Sequence, residues 1–178
     1  MFTSTITEPR VTYIKDIGFG GIASLRTIEE MAFLINSSLK DWGVRETAQD
    51  IVRDVRERDK LTEAKSVFKW VQSKVRYTYD PKGLETIQTP KVLLEDIANK
   101  GRAYGDCDDF TVLIGSLLRG LGHTIRIKAV SFKPSMTLSH VYLEDNINNK
   151  WIVLDGIKKD ESMGWESSRV NRSITLNV

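Results

Sequence analysis

The spacing of apolar residues changes character once along this chain. Up to about residue 122 they recur every three or four positions, and beyond it every second position. In the first part, Thr27 with Glu30 three residues later makes a capping-box pattern. It predicts a helix from Thr27 to about Leu39, with Ile28, Met31, Ala32, Leu34 and Ile35 on its buried side. A second helix is predicted over about 44–58, burying Ala48, Ile51, Val52 and Val55. A third, over about 62–76, starts at Thr62 and buries Ala64, Val67, Phe68, Val71 and Val75. Thr89-Pro90 opens a fourth, which Gly101 stops. The fifth runs from Asp106 to Leu121 and closes at Gly122, with Phe110, Leu113, Ile114, Leu117, Leu118 and Leu121 as its apolar stripe.

Past Gly122 the alternation predicts strands at 124–132 (TIRIKAVSF), 138–145 (LSHVYLED) and 150–155 (KWIVLD), with RSITLNV at 172–178 as a fourth. A weaker strand pattern lies at Arg10–Lys15, and Asp80–Gly83 reads as a turn. The glycine cluster GFGG at 18–21 lacks the G-x-G-x-x-G spacing and reads as a turn rather than a phosphate cradle. Helices first and strands later predict an α+β fold with an antiparallel sheet. A length of 178 residues suits a single domain. We divide it into an N-terminal helical extension (1–61), a core (62–166) and a C-terminal strand or tail (167–178).

Charge narrows the partners. A formal net charge of +2, with acids interleaved among every basic stretch, gives no reason to expect nucleic acid. The N-terminus lacks a basic-then-apolar signal pattern, and no apolar run approaches membrane-spanning length. A soluble cytoplasmic protein is expected, with no membrane partner. A single cysteine rules out an intrachain disulfide and fits a reducing compartment.

That cysteine, Cys107, stands among Asp106, Asp108 and Asp109 in the first turn of the fifth helix, at the top of its inward face. The helix end favours a thiolate, and carboxylates there stabilise the helix, with Asp106 as N-cap. Those carboxylates also raise a thiol pKa, so a nucleophilic Cys107 needs a cationic partner. His123 lies sixteen residues on, roughly 24 Å along the helix, and is expected to decorate a turn. His140 lies within a strand. If Asn146–Asn149 form a four-residue hairpin loop, Asp145 pairs with Lys150 and His140 stands opposite Asp155. Val141 and Leu143 then share the other face with Leu154 and Ile152. Taken singly, a buried cysteine is more often inert packing, a strand histidine a satisfied structural residue, and an aspartate before glycine a turn former. Their joint occurrence favours a thiol site of Cys107 as nucleophile, His140 as base and Asp155 as orienting acid. Zinc held by Cys107, His140 and an aspartate is the weaker alternative, because the paired spacing of a structural zinc site is missing.

The stretches GDCDDFTVLIGSLLRGLGHTIRIKAVSF, SHVYLE and KWIVLDG resemble the transglutaminase-like superfamily of papain-type cysteine enzymes, from about Lys65 to Glu166. With its GDCDD, HVY and Gly164-Trp165-Glu166 segments and VRYTYDPKGLETIQTPKVLL upstream, the chain looks like the small stand-alone members found in bacteriophages and bacteria. The resemblance implies a nucleophile helix packed on an antiparallel sheet and places Cys107, His140 and Asp155 on the motif positions. It also suggests Gln88, in TIQTP, as an oxyanion-hole donor; a capping role before the next helix is the competing reading. Asp155-Gly156 replaces the Asp-Pro of many members, and acidic neighbours replace the aromatic one of animal transglutaminases, which weakens the case for glutamine–lysine crosslinking.

The implied chemistry is acyl transfer from, or hydrolysis of, a peptide or protein amide, without cofactor or metal. Small size tilts it towards a peptidase or amidase. The alternative is a non-enzymatic bacteriophage virion or assembly protein that reuses the fold, with phage structural proteins as partners and the virion as its location.

Overall fold

The computed structural model describes residues 11–14, 21–80, 85–134 and 138–178. In chain order the elements are β1 (Val11–Ile14), α1 (Gly21–Ser38), α2 (Trp42–Ile51), α3 (Lys60–Lys74), β2 (Val75–Tyr77), β3 (Glu85–Gln88), α4 (Pro90–Lys100), β4 (Ala103–Gly105), α5 (Cys107–Gly120), β5 (Ile125–Ser131), β6 (His140–Ile147), β7 (Lys150–Leu154) and β8 (Arg172–Asn177). Helices come first and the large sheet last, so the α+β expectation holds. The turn expected at Asp80–Gly83 and most of GFGG lie outside the described residues.

The helix α5 is the axis of the molecule. Its apolar stripe and most of its other positions are buried, as suits a helix enclosed on all sides. Helices α1 to α4 cover one side and β5–β6 cover the other. Gly115 marks the closest approach, since a Cβ there would meet Ile35 Cδ1 at 2.7 Å and Leu143 Cδ1 at 3.2 Å. The sheet runs β7-β6-β5-β8 with every neighbouring pair antiparallel. Two small pairs stand apart from it: β1 antiparallel to β3, and β2 parallel to β4. Among the described residues no helix is long and apolar enough to cross a membrane.

Three boundaries differ from expectation. The first helix begins at Gly21, not at Thr27. Ala23, Leu25 and Arg26 are good helix formers, so nothing ahead of Thr27 stops the helix and its capping pattern falls inside it. The second ends at Ile51, not near 58; turns follow, including Arg58 in the left-handed region (φ 65), and they deliver Asp59 as the N-cap of α3. The third begins at Lys60, and Val75 lies in β2, although it is fully buried as expected.

The hairpin between β6 and β7 is tighter than expected. Ile147 pairs with Lys150 and Asp145 with Ile152, so the loop is two residues, Asn148 and Asn149, rather than four. Both adopt positive φ (53 and 62), which suits a type I′ turn and which asparagine tolerates. Relative to expectation the register slips by two. A slip of two preserves faces, so Val141, Leu143, Ile152 and Leu154 still pack towards α5.

Candidate active site

The short strand β4 delivers the chain to Asp106, the N-cap, and Cys107 opens α5 half-buried against the core. The Thr111 hydroxyl, one turn on, lies 2.6 Å from the Cys107 carbonyl and 3.3 Å from that of Val141. The first turn of α5 is thereby fixed beside the residue after His140.

His140 is the first residue of β6, and Asp155 follows the last residue of β7. Both are buried, and His140 Nε2 lies 2.8 Å from Asp155 Oδ2. With the tighter hairpin the two are diagonal rather than directly opposed, still within reach on a shared face. That face, which also carries Tyr142 and Glu144, is opposite α5. On the other side of the sheet, the contact between Thr111 and the Val141 carbonyl sets the first turn of α5 against the start of β6. Asp155 occupies Nε2, so Nδ1 is the ring nitrogen left for proton transfer. The ring stacks on Phe132, with centroids 6.0 Å apart. Gly156 is held against α5, where a Cβ would approach Ile114 Cδ1 at 2.8 Å and Phe110 Cδ1 at 2.9 Å. Glycine here lets the chain after Asp155 lie directly on α5.

The three aspartates are not equivalent. Asp109 is buried and accepts hydrogen bonds from the Gln88 backbone N–H (2.7 Å), the Gln88 side-chain amide (2.9 Å) and the Asp106 backbone N–H (3.2 Å). The last is the returning half of a capping box. Burial outweighs these bonds and raises the Asp109 carboxyl to about 7, with the charge of Asp106 adding to the rise. Asp108 is buried as well and accepts the Asp109 N–H at 2.9 Å. Carboxylate oxygens of the three lie within 4.8 Å of one another.

Gln88 closes β3. Its side-chain amide donates to the Tyr104 carbonyl at 2.8 Å as well as to Asp109, so both of its hydrogens are engaged. Gly105 permits this arrangement, because a Cβ there would lie 2.5 Å from Asp109 Cβ and from its Oδ2. Gly105→Ala is therefore expected to push Asp109 off Gln88 and lower the thermal midpoint by several degrees, about 1–3 kcal/mol, as overpacking does. A calorimetric scan with an unchanged midpoint would sink that expectation.

Two features escaped the reading of the sequence. Tyr77, at the end of β2, is raised to about 12 by partial burial and by negative charge at Cys107 and Asp106, which puts its hydroxyl in the electrostatic neighbourhood of the thiol. A three-residue strand offers no periodicity that could have flagged it. His123 does not decorate a turn. It is buried, with Nδ1 2.6 Å from Asp145 Oδ2 and Nε2 3.0 Å from Glu63 Oε2. This cluster joins α3, the α5–β5 connection and β6 at the end of α5 remote from Cys107.

A sequence profile of the transglutaminase-like superfamily matches residues 45–156, more than half of the chain and a span that holds Cys107, His140 and Asp155. No curated protein gives a significant sequence match. Among solved structures, the chain is similar to a candidate cysteine protease from Cytophaga hutchinsonii, with a TM-score of 0.48 and 16% identity, over 75% of this chain and 48% of that one. It is also similar to a candidate protease from Parabacteroides distasonis, with a TM-score of 0.49 and 13% identity, over 72% of this chain and 26% of that one. The chain thus spans about half the length of the first and about a quarter of the second.

Proposed function

The chain belongs to the transglutaminase-like superfamily, and on that premise we propose that it is a cysteine-dependent enzyme acting on peptide or protein amides. The observation that supports this reading is the buried His140–Asp155 hydrogen bond, on a strand that the Thr111–Val141 contact ties to the first turn of α5. Asp155 fixes the imidazole, and a protonated His140 stabilises the Cys107 thiolate against the neighbouring carboxylates.

In the proposed reaction the Cys107 Sγ attacks the amide carbon. A C–S bond forms and the carbonyl electron pair moves to oxygen. The Cys107 backbone N–H lies in the first turn of α5, where the helix end favours negative charge, and faces that charge. A second donor is available in the Tyr77 hydroxyl, which keeps its proton at neutral pH. Gln88 joins the oxyanion hole only by exchanging its bond to the Tyr104 carbonyl for one to the substrate. Collapse breaks the C–N bond, and His140 gives its proton to the departing amine. Water, deprotonated by His140, then cleaves the thioester and regenerates the thiol; an amine in its place gives transamidation. A reducing cytoplasm suits a sequence with one cysteine and hence no intrachain disulfide.

Alkylation by iodoacetamide tests this directly. A free thiol of pKa about 8.5 is only a few per cent thiolate at pH 7, so a paired Cys107 is expected to react about tenfold faster than a free thiol. His140→Ala should abolish the excess and Asp155→Ala most of it. If Cys107 labels at the rate of a free thiol, or ignores His140→Ala, the enzyme reading fails and a non-catalytic role, as in a phage particle, replaces it.

A further inference from the structure

On the face of the sheet opposite α5, a cleft of about 220 Å³ opens beside the His140–Asp155 pair. Phe132 and Trp165 supply aromatic walls, and Lys158 and Arg169 also line it. Cys107 does not. At this size the cleft falls below the ~300–1,000 Å³ of a drug-sized pocket, and suits one residue of a peptide.

The charges of the cleft are unbalanced. Its carboxylate, Asp155, is held by His140. The nearby Glu166 accepts from Lys128 Nζ at 2.6 Å and from the Tyr142 hydroxyl. Lys158 and Arg169, by contrast, have no ion-pair partner among the described residues, and both are exposed. Two uncommitted cations beside aromatic walls form a receptor for a carboxylate.

Position gives the cleft its role. If His140 delivers a proton to the departing amine, as the proposed function has it, the amine portion of the substrate leaves against His140, and the cleft is the open space that His140 lines. We propose that this cleft binds the leaving-amine portion and selects a carboxylate there through Lys158 and Arg169. The selectivity rests on that reading of the site. The carboxylate is supplied either by an acidic side chain or by a free C-terminus, and both present the same anion to the two cations.

Binding can be tested without turnover in the Cys107→Ala protein, by fluorescence polarisation of dye-labelled tetrapeptides. Three probes separate the sources: Gly-Gly-Glu-Glu amide, Gly-Gly-Gln-Gln amide, and Gly-Gly-Gln-Gln with a free C-terminus. At least one carboxylate-bearing peptide is expected to bind about tenfold tighter than the uncharged amide, with the preference weakening as salt is raised. The Lys158→Ala/Arg169→Ala pair, made in the same background, should remove the preference while leaving the thermal midpoint unchanged. Equal binding of all three probes, including no binding by any, overturns the proposal, as does a preference that survives the double substitution. The two readings fail separately. Slow alkylation of Cys107 with carboxylate selectivity intact removes the enzyme and leaves an anion-binding cleft, whereas fast alkylation without selectivity does the reverse.

Discussion

Asp145→Ala is expected to cost about 3–5 kcal/mol of folding stability, a large part of the ~5–15 kcal/mol that holds a domain of this kind together. Asp145 is fully buried and its carboxylate meets His123 Nδ1 at 2.6 Å, while Nε2 meets Glu63. Both ring nitrogens are thus engaged by carboxylates from two other elements. Glu63 is itself tied to Lys60, whose Nζ also reaches the Leu121 carbonyl at 2.8 Å. Deleting Asp145 leaves the buried ring with one carboxylate and no water to replace the other. Urea denaturation measures the loss. A triple change, Glu63→Gln, His123→Leu and Asp145→Leu, should recover much of it, because replacing the two buried polar partners together costs less than stranding one of them. A single-variant loss below about 1 kcal/mol would show that the cluster is not a clamp.

Asp109→Asn should change how stability depends on pH rather than simply lower it. The folded protein holds the Asp109 carboxyl at about 7, against an ordinary 3.8, because burial disfavours its charge. The folded state therefore binds the proton more tightly than the unfolded chain. This contribution is fully present below pH 3.8, falls as pH rises, and is gone above about 7. Asparagine carries no charge and keeps an oxygen for the Gln88 backbone N–H. The wild-type protein should thus lose stability relative to Asp109→Asn by an amount on the order of a few kcal/mol between those limits. Urea titrations of both proteins at a series of pH values give the difference directly, and parallel curves would refute the assignment. The same ionisation bears on chemistry. Below about pH 7 Asp109 is neutral, so the charge opposing a Cys107 thiolate is smaller than a count of aspartates implies.

The helix α5 was legible because cap, apolar stripe and terminal glycine all agree on one element; five of the six stripe positions are buried, and Leu121, at the C-cap, is partly buried against them. The strands of the large sheet were legible for the same reason. The β6–β7 register was not, since Asn146–Asn149 reads as a loop by composition while Asn146 and Ile147 in fact extend the ladder. His140 and Asp155 survived that error only because the slip was even. His123 was weighed solely by its distance from Cys107. Its partner Glu63 is sixty residues away in the chain, and nothing local announces the contact. Gln88 and Asp109 were each singled out, but their mutual clamp depends on β3 lying beside the start of α5, which residue types do not encode.

The near-complete enclosure of α5 has a dynamic consequence. Its amides can exchange with solvent only when the core itself opens, so the segment that carries Cys107 belongs to the slowest-exchanging unit of the protein. Residues 156–171, which supply Lys158, Trp165 and Arg169, contain no helix or strand, and Lys158 and Arg169 are exposed. They belong to the fast-opening end of the same scale. One flank of the site is thus a fixed anvil and the other can reshape around what it grips, without moving the sulfur.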